Sequence, residues 1–322
     1  LSRGLGAANV RSPEGLEPQW TALGLDGEWA LLDQLTPELL NDDTAGDDPS
    51  ALNPSRRLTV IGLDEAGRGC VAGPVVAGAV ACELRWQPHT AARTPPTVAS
   101  AASSWHGIRD SKRLSAQRRE HMAKQLGLDK EPLLDWKKTS ADDGANLERD
   151  PVLIRPKLHH HAGGPAPEHL LEQARGKLGQ HVVLCSLQAR YGMASCDEIE
   201  KFNIWEATQL AIARALAALP KIDGPCVLFF DGKLACKLPA AYALNPLITV
   251  IKGDDHLRTV GAASIVAKVT RDRLMTQLET TYPGFGFAKH KGYGTASHFA
   301  ALSKIGPSPE HRLSFLTRLH GS

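Results

Sequence analysis

The sequence predicts an α/β domain with a mixed sheet flanked by helices, and three observations carry that prediction. Short apolar runs of strand length recur between residues 58 and 251. Two longer stretches, Asp197–Leu219 and Ala262–Thr281, approximate helical spacing. The order strand, strand, strand, helix, strand, strand, helix suits a meander whose first strand is joined in parallel by later ones.

Taken along the chain, residues 1–57 hold Pro, Gly and Asp clusters such as Asn41–Pro49 and read as an acidic, flexible extension, with one short helix around Trp29–Leu35. Strands follow at Leu58–Leu63 and Pro74–Cys82. Residues 87–106, rich in Ala, Ser, Thr and Pro, read as a loop, and Asp110–Ser115 leads into a polar helix ending near Gly127. Residues 128–180 show no sustained period and read as an insertion that contributes little to the core and lies outside the functional site. Within it, His159, His160 and His161 are expected in a solvated loop, because consecutive loop histidines point in different directions. His181–Gln188 is a strand. The helix after it opens with Asp197, Glu198 and Glu200, which complement the positive end of the helix dipole, and Pro220 stops it. Val227–Phe230 and Leu247–Ile251 are short buried strands. The last long helix is followed by a glycine-rich turn and one or two short helices.

A chain of 322 residues with 42% hydrophobic and 22% charged content describes a soluble globular protein with a real core. The longest apolar stretch, Val75–Cys82, is far too short to span a bilayer. Residues 1–30 lack the apolar run of a secretory signal and carry acids foreign to a transit peptide. The chain opens on Leu1 rather than Met, so this describes only the stretch given. Six cysteines without C-x-x-C spacing argue against a zinc site and for reduced core residues, hence a cytoplasmic setting. The net charge of +2 hides an asymmetry: residues 1–57 carry four basic against ten acidic side chains, and residues 250–322 carry ten against five. A basic C-terminal quarter suits a polyanionic partner.

The chemistry concentrates at strand ends. Asp64 and Glu65 close the first strand, Asp231 closes the fourth, and Asp254 follows the fifth. If these strands are neighbours, about 4.8 Å apart, the four carboxylates converge at one edge of the sheet. Carboxylates that close repel one another unless cations neutralise them, and two Mg²⁺ or Mn²⁺ ions roughly 3.5–4 Å apart would do so. Each aspartate taken singly also suits an ordinary turn before glycine; the recurrence at three strand ends favours metal. Directly after Glu65 and Ala66 comes Gly67-Arg68-Gly69, glycines that let a ligand approach the backbone and a guanidinium suited to phosphate. Ser264 and Lys268 stand four apart, so one helix face presents both.

These residues resemble those of the ribonuclease HII family. The pieces are colinear: Asp64–Gly69; Asp110-Ser111-Lys112; Glu198-Ile199-Glu200 with Asn203-Ile204 and Ala207-Thr208; Asp231-Gly232; Lys252-Gly253-Asp254; Ala262–Asp272; Tyr282-Pro283; Gly286-Phe287; His290–Thr295; and His311-Arg312 before Ser314-Phe315. The match covers about residues 58–127 and 181–316. The resemblance implies a ribonuclease H-like fold with a five-stranded mixed sheet and a small C-terminal helical segment. It implies endonucleolytic hydrolysis of the RNA strand of RNA–DNA hybrids and of single ribonucleotides in duplex DNA, with two Mg²⁺ or Mn²⁺ ions. By motif position it makes Asp64, Glu65, Asp231 and Asp254 the metal-binding catalytic carboxylates, Gly67, Arg68, Gly69 and Tyr293 the ribonucleotide reader, and Lys112, Ser264 and Lys268 the contacts to backbone phosphate. Cys70 stands where a proline is usual, and of the neighbours Asp254 and Asp255 the Lys-Gly-Asp position favours Asp254 as the ligand. The related ribonuclease HIII has a folded N-terminal platform domain and lacks this glycine-arginine-glycine form.

The expected organisation is an extension at 1–57, a catalytic domain at 58–285 interrupted by 128–180, and a substrate-binding helical segment at 286–322. Two other readings stay open: a hybrid-binding protein without catalysis, opposed by retention of all four carboxylates, and a resolvase- or transposase-type nuclease of the same fold, opposed by the reader motif. No C-terminal Gln-containing clamp-binding motif is seen, and a monomer acting on nucleic acid, away from membranes, is expected.

Overall fold

A run of apolar residues bordered by Arg57 on one side and acids on the other becomes β1 (Arg57–Ala66), the strand about which the sheet is organised. It is buried on both faces from Leu58 to Asp64, as a central strand must be. The structure, a computed structural model, describes residues 57–88, 108, 111, 113–128, 152–154, 158–161, 180–232 and 236–320. The expected extension at 1–56 with its short helix, the loop over 89–106, Asp110, Lys112 and most of 129–179 lie outside the described residues.

β1 pairs antiparallel with β2 (Val75–Pro88), and β2 pairs antiparallel with β5 (Gln180–Ala194), which is the expected meander. On its other side β1 runs parallel to β6 (Cys226–Asp231), and β6 runs parallel to β8 (Leu247–Ile251). These are the five strands of the expected mixed sheet. A sixth, β4 (Leu158–His161), extends it at the free edge of β8, giving the order β4-β8-β6-β1-β2-β5. The histidine triplet is therefore strand and not loop, a correction whose reason is tertiary: the open edge of β8 supplies backbone partners that no local signal announces. A separate pair joins β3 (Val152–Ile154) to β7 (Cys236–Leu238).

The helices are α1 (Ala116–Gln125), α2 (Cys196–Phe202), α3 (Ile204–Ala217), α4 (Gly253–His256), α5 (Arg258–Thr281), α6 (Phe287–His290), α7 (Ala296–Ile305) and α8 (Leu313–His320). The single helix expected over Asp197–Leu219 is two. Asn203 takes a left-handed φ of 74°, ends α2, and accepts the Trp205 and Glu206 amides to cap α3. Glu198 ties the two pieces together, closing the capping box of α2 on Ser195 and pairing with both terminal nitrogens of Arg214 on α3 at 2.9 and 2.7 Å. Helix α5 begins at Arg258, four residues before the expected start, and the C-terminal segment forms three helices instead of one or two. None of the six cysteines is in a disulfide. Among the described residues no helix is long and apolar enough to cross a membrane.

The period of two in β1 divides the core. Val60 with Val80, Phe229 and Val250 faces α5 and α1, whereas Ile61 and Leu63 with Ala79, Leu228 and Phe230 face α3. Helix α5 lies hard against the sheet at Gly62 and Gly78: a methyl group at Gly62 would overlap the backbone of Thr259 and Val260, and one at Gly78 the carbonyl of Ala263. We expect Gly62→Ala to cost about 1–3 kcal/mol through overpacking, read as a lower urea midpoint with unchanged m-value. An unaltered midpoint would mean that α5 moves away freely.

Candidate active site

The parallel register that pairs Leu63 with Phe230 brings Asp64 at the end of β1 beside Asp231 at the end of β6. Asp64 is buried, and its Oδ1 accepts the Glu65 amide at 2.7 Å. Burial first, then the charges of Glu65 and Asp231, hold its carboxyl well above the usual carboxylate range, against the lowering effect of hydrogen bonds from Ser264 and the Glu65 amide. Ser264 is itself buried, with its hydroxyl 2.7 Å from that of Ser111. It therefore sits beneath Asp64, off the solvated side of α5. Asp231 accepts the Gly253 amide at 2.8 Å, which clips α4 to the tip of β6. Asp254 is thus carried on a single helical turn after β8, reached through the left-handed Lys252 (φ 57°). Asp254 is buried and Asp255 is more exposed, so burial distinguishes the two neighbours.

Among the described residues no group of three or more His, Cys, Asp or Glu side chains is arranged so as to hold a metal ion. The donor chemistry nonetheless fits a hard divalent cation. The donors are all oxygens, on adjacent parallel strand ends, and burial together with the neighbouring negative charges raises the Asp64 carboxyl, a cost that a cation would relieve.

Past the carboxylates the chain turns at Gly67 (φ 94°), where any side chain would run into the Arg271 guanidinium. Arg271, on α5 and fully buried, donates to the carbonyls of Pro74 (3.0 Å), Ala72 (3.0 Å) and Lys291 (2.7 Å). Arg312, equally buried, donates to those of Gly73 (3.0 and 2.7 Å) and Arg68 (3.0 Å). Two arginines thus hold the whole turn from Arg68 to Pro74. Sequence reasoning assigned neither a role. The available signal was position: Arg271 lies four residues from Ala267 and from Met275, on the apolar stripe of α5, where a lone charge needs buried partners.

The exposed side of this turn carries the remaining predicted residues. Arg68 reaches back to Glu65 at 3.0 Å and lies 5.5 Å from the centre of the Trp205 ring. A methyl group at Gly69 would meet nothing within 4 Å. Tyr293 is 46% exposed, and its hydroxyl is hydrogen-bonded to the Cys70 thiol; burial of the ring, then Cys70, raises its pKa. Lys268 pairs with Asp272 at 2.6 Å, and Lys291 reaches the Thr276 hydroxyl at 2.7 Å. Lys112 lies outside the described residues. Thus Asp64, Glu65, Asp231 and Ser264 come together, while Arg68 bridges from the carboxylates toward α3.

Behind Tyr293, Phe285 and Phe287 pack with His298 and His311, both buried. Burial, then the neighbouring His298, pushes His311 down to about 4 from 6.5. A base whose folded value lies below its unfolded value binds fewer protons when folded, so its stabilising share is complete above pH 6.5 and falls as pH drops toward 4. Melting temperature should decline over that window, and His311→Gln should flatten the decline; an equally steep decline in the variant would assign it to other groups.

The family model described as Ribonuclease HII matches residues 61–143 and 175–320, and leaves unmatched 144–174 within the segment read as an insertion. The chain is 34% identical to the ribonuclease HII of Synechococcus elongatus over 266 residues, covering 82% of this chain and 88% of that one. It is 33% identical to the ribonuclease HII of Pseudothermotoga lettingae over 257 residues, covering 80% of this chain and 77% of that one. It is also similar to the solved ribonuclease H2 of Pyrococcus horikoshii, at 20% identity with a TM-score of 0.44, over 82% of this chain and 100% of that one.

Proposed function

The chain belongs to the ribonuclease HII family, a family of metal-dependent ribonuclease H hydrolases, and from that premise we propose that it cleaves the RNA strand of RNA–DNA hybrids and duplex DNA at single embedded ribonucleotides. The observation that supports this reading best is the continuity of Asp64 and Glu65 with a turn whose Gly69 faces open space. Cleaving groups and a backbone surface able to approach a sugar are separated by only a few residues.

In this reading Asp64, Glu65, Asp231 and Asp254 hold two Mg²⁺ or Mn²⁺ ions. The chemistry such ions supply when bound is activation of water for in-line attack and stabilisation of the departing 3′-oxygen, giving 5′-phosphate and 3′-hydroxyl ends. The chain's own part is to aim and to select. Asp64 would meet the cations as a carboxylate, and the Ser264 hydroxyl, hydrogen-bonded to it, orients it. Arg68, shared between Glu65 and Trp205, is available for phosphate. Lys112 and Lys268 complete the phosphate contacts. Selection requires a contact to the 2′-hydroxyl, because every phosphodiester presents the same oxygens to a cation. Main-chain groups of Gly67 and Gly69 and the hydroxyl of Tyr293 make that contact, so the 286–322 segment serves as the substrate-binding part of a catalytic domain spanning 58–285.

Substitutions at two positions test the reading without disturbing the fold. Gly69→Ala meets no protein atom within 4 Å, so its melting temperature should match wild type while cleavage at a lone ribonucleotide falls. Tyr293→Phe should lose about 1 kcal/mol of transition-state stabilisation, roughly five- to tenfold in kcat/KM, and Tyr293→Ala more. Wild-type kcat/KM for both Gly69→Ala and Tyr293→Ala on a single-ribonucleotide duplex would remove the reader from this turn. Wild-type cleavage of the matching all-DNA duplex would point to a nuclease of another kind.

A further inference from the structure

Three histidines meet behind Tyr293, and the cleavage chemistry uses none of them. His298 on α7 and His311 before α8 are buried, and His290 at the end of α6 stacks on His298 with ring centres 4.1 Å apart. Their hydrogen-bond partners determine each tautomer. The carbonyl of Tyr293 can only accept, so His298 Nδ1, 2.9 Å away, donates to it. His298 Nε2 is then the lone-pair nitrogen, and His311 Nε2, at 3.0 Å, donates to it. The far side of His311 agrees: its Nδ1 accepts the Ser308 amide at 2.9 Å and lies 2.8 Å from the Ser308 hydroxyl. The Ser308 carbonyl, at 3.3 Å, competes for the same nitrogen, but a protonated Nδ1 would face the amide hydrogen. His290 repeats the pattern, accepting the Gly292 amide at Nδ1 (3.2 Å) and donating from Nε2 to the Phe285 carbonyl (2.7 Å).

One directed chain therefore runs from Ser308 through His311 and His298 to the main chain of Tyr293. Its end point matters because the turn from His290 to Tyr293 is held in an unusual path, with Lys291 at φ 53° and Gly292 at φ 79°. The Gly292 carbonyl accepts the amides of Val71 (2.9 Å) and Ala72 (3.3 Å), which follow Gly69. What orients Tyr293 also touches the other half of the reader. A histidine retained merely to fill space could be replaced by an apolar residue of similar size; here each ring nitrogen of His298 has an assigned partner.

We infer that His298, oriented by His311, is a positioning residue that aims Tyr293 at the ribose, an inference that rests on the reader role proposed for Tyr293. A long-range ¹H–¹⁵N spectrum of the unsubstituted full chain at neutral pH should show His298 in the Nδ1–H form and His311 in the Nε2–H form. Kinetics on a single-ribonucleotide duplex then separate aiming from folding. His298→Leu should lower kcat/KM about tenfold, the scale of one lost hydrogen bond, when Tyr293 is present and not at all when Tyr293 is already alanine. His298→Asn, whose amide keeps a donor for the Tyr293 carbonyl, should recover most of the loss. If His298→Leu does not fold, His298→Asn in the two backgrounds and the tautomer spectrum still decide. An equal proportional loss in both backgrounds, or His298 found as the Nε2–H form, overturns the inference while Tyr293→Ala remains impaired. Wild-type activity of Tyr293→Ala overturns the reader role itself and the inference with it.

Discussion

Asp231→Asn should reduce hydrolysis of an RNA–DNA hybrid by at least about 100-fold at saturating Mg²⁺, with hybrid binding largely kept. The shape of the side chain is preserved, and its carbonyl oxygen can still accept the Gly253 amide that holds α4 against β6. What disappears is one negative charge from a cluster in which Asp231 already raises the proton affinity of Asp64. Two consequences follow with opposite sign. The site loses attraction for a dication, and turnover falls with it. The folded protein loses like-charge repulsion, so melting temperature in the absence of divalent metal should hold or rise. Near-normal turnover would show that Asp231 does not hold metal, and a large drop in metal-free stability would make it a structural residue.

The second large effect is expected on stability. Arg271→Met removes a buried guanidinium of about the right volume and leaves the carbonyls of Pro74, Ala72 and Lys291 without their donor. At about 1 kcal/mol or more for each, the loss is roughly 3 kcal/mol, or some 6–12 °C in melting temperature. Replacement of a buried charge by an apolar residue is sometimes neutral when its partners can be removed as well. Here the partners are main-chain groups and stay behind. Arg312 supplies the companion case: burial pushes it down to about 10, which still leaves it charged at neutral pH and able to donate to Gly73 and Arg68. An unchanged melting temperature for Arg271→Met would mean that water replaces the guanidinium without cost, and the turn would then be softer than its hydrogen bonds suggest.

Much of the fold and part of the site were legible along the chain. The apolar run Leu58–Leu63 identified a strand, and the adjacency of Asp64, Glu65 and the Gly-Arg-Gly turn was a purely local fact. The break at Asn203 was not legible, since an asparagine inside a helical pattern looks the same whether it continues the helix or caps the next one. The strand at Leu158–His161 was hidden because its stability is supplied by β8, about ninety residues away. Spacing put Ser264 and Lys268 on one helix face, but not how deep that face lies: docking of α5 at Gly62 and Gly78 buries Ser264 beside Ser111 and Asp64.

The sequence by itself determined which chemistry was possible: four carboxylates next to strand ends, a Gly-Arg-Gly segment directly after two of them, and a basic C-terminal quarter. Such properties depend on residue type and spacing, which the chain carries directly. Tertiary structure alone decided the proton affinity of Asp64 and the aim of the groups around it. The raised carboxyl of Asp64, the two arginines locked onto the turn and the tautomers of His298 and His311 all come from partners far apart in sequence. They exist only once burial has removed water and left these polar atoms with protein partners alone.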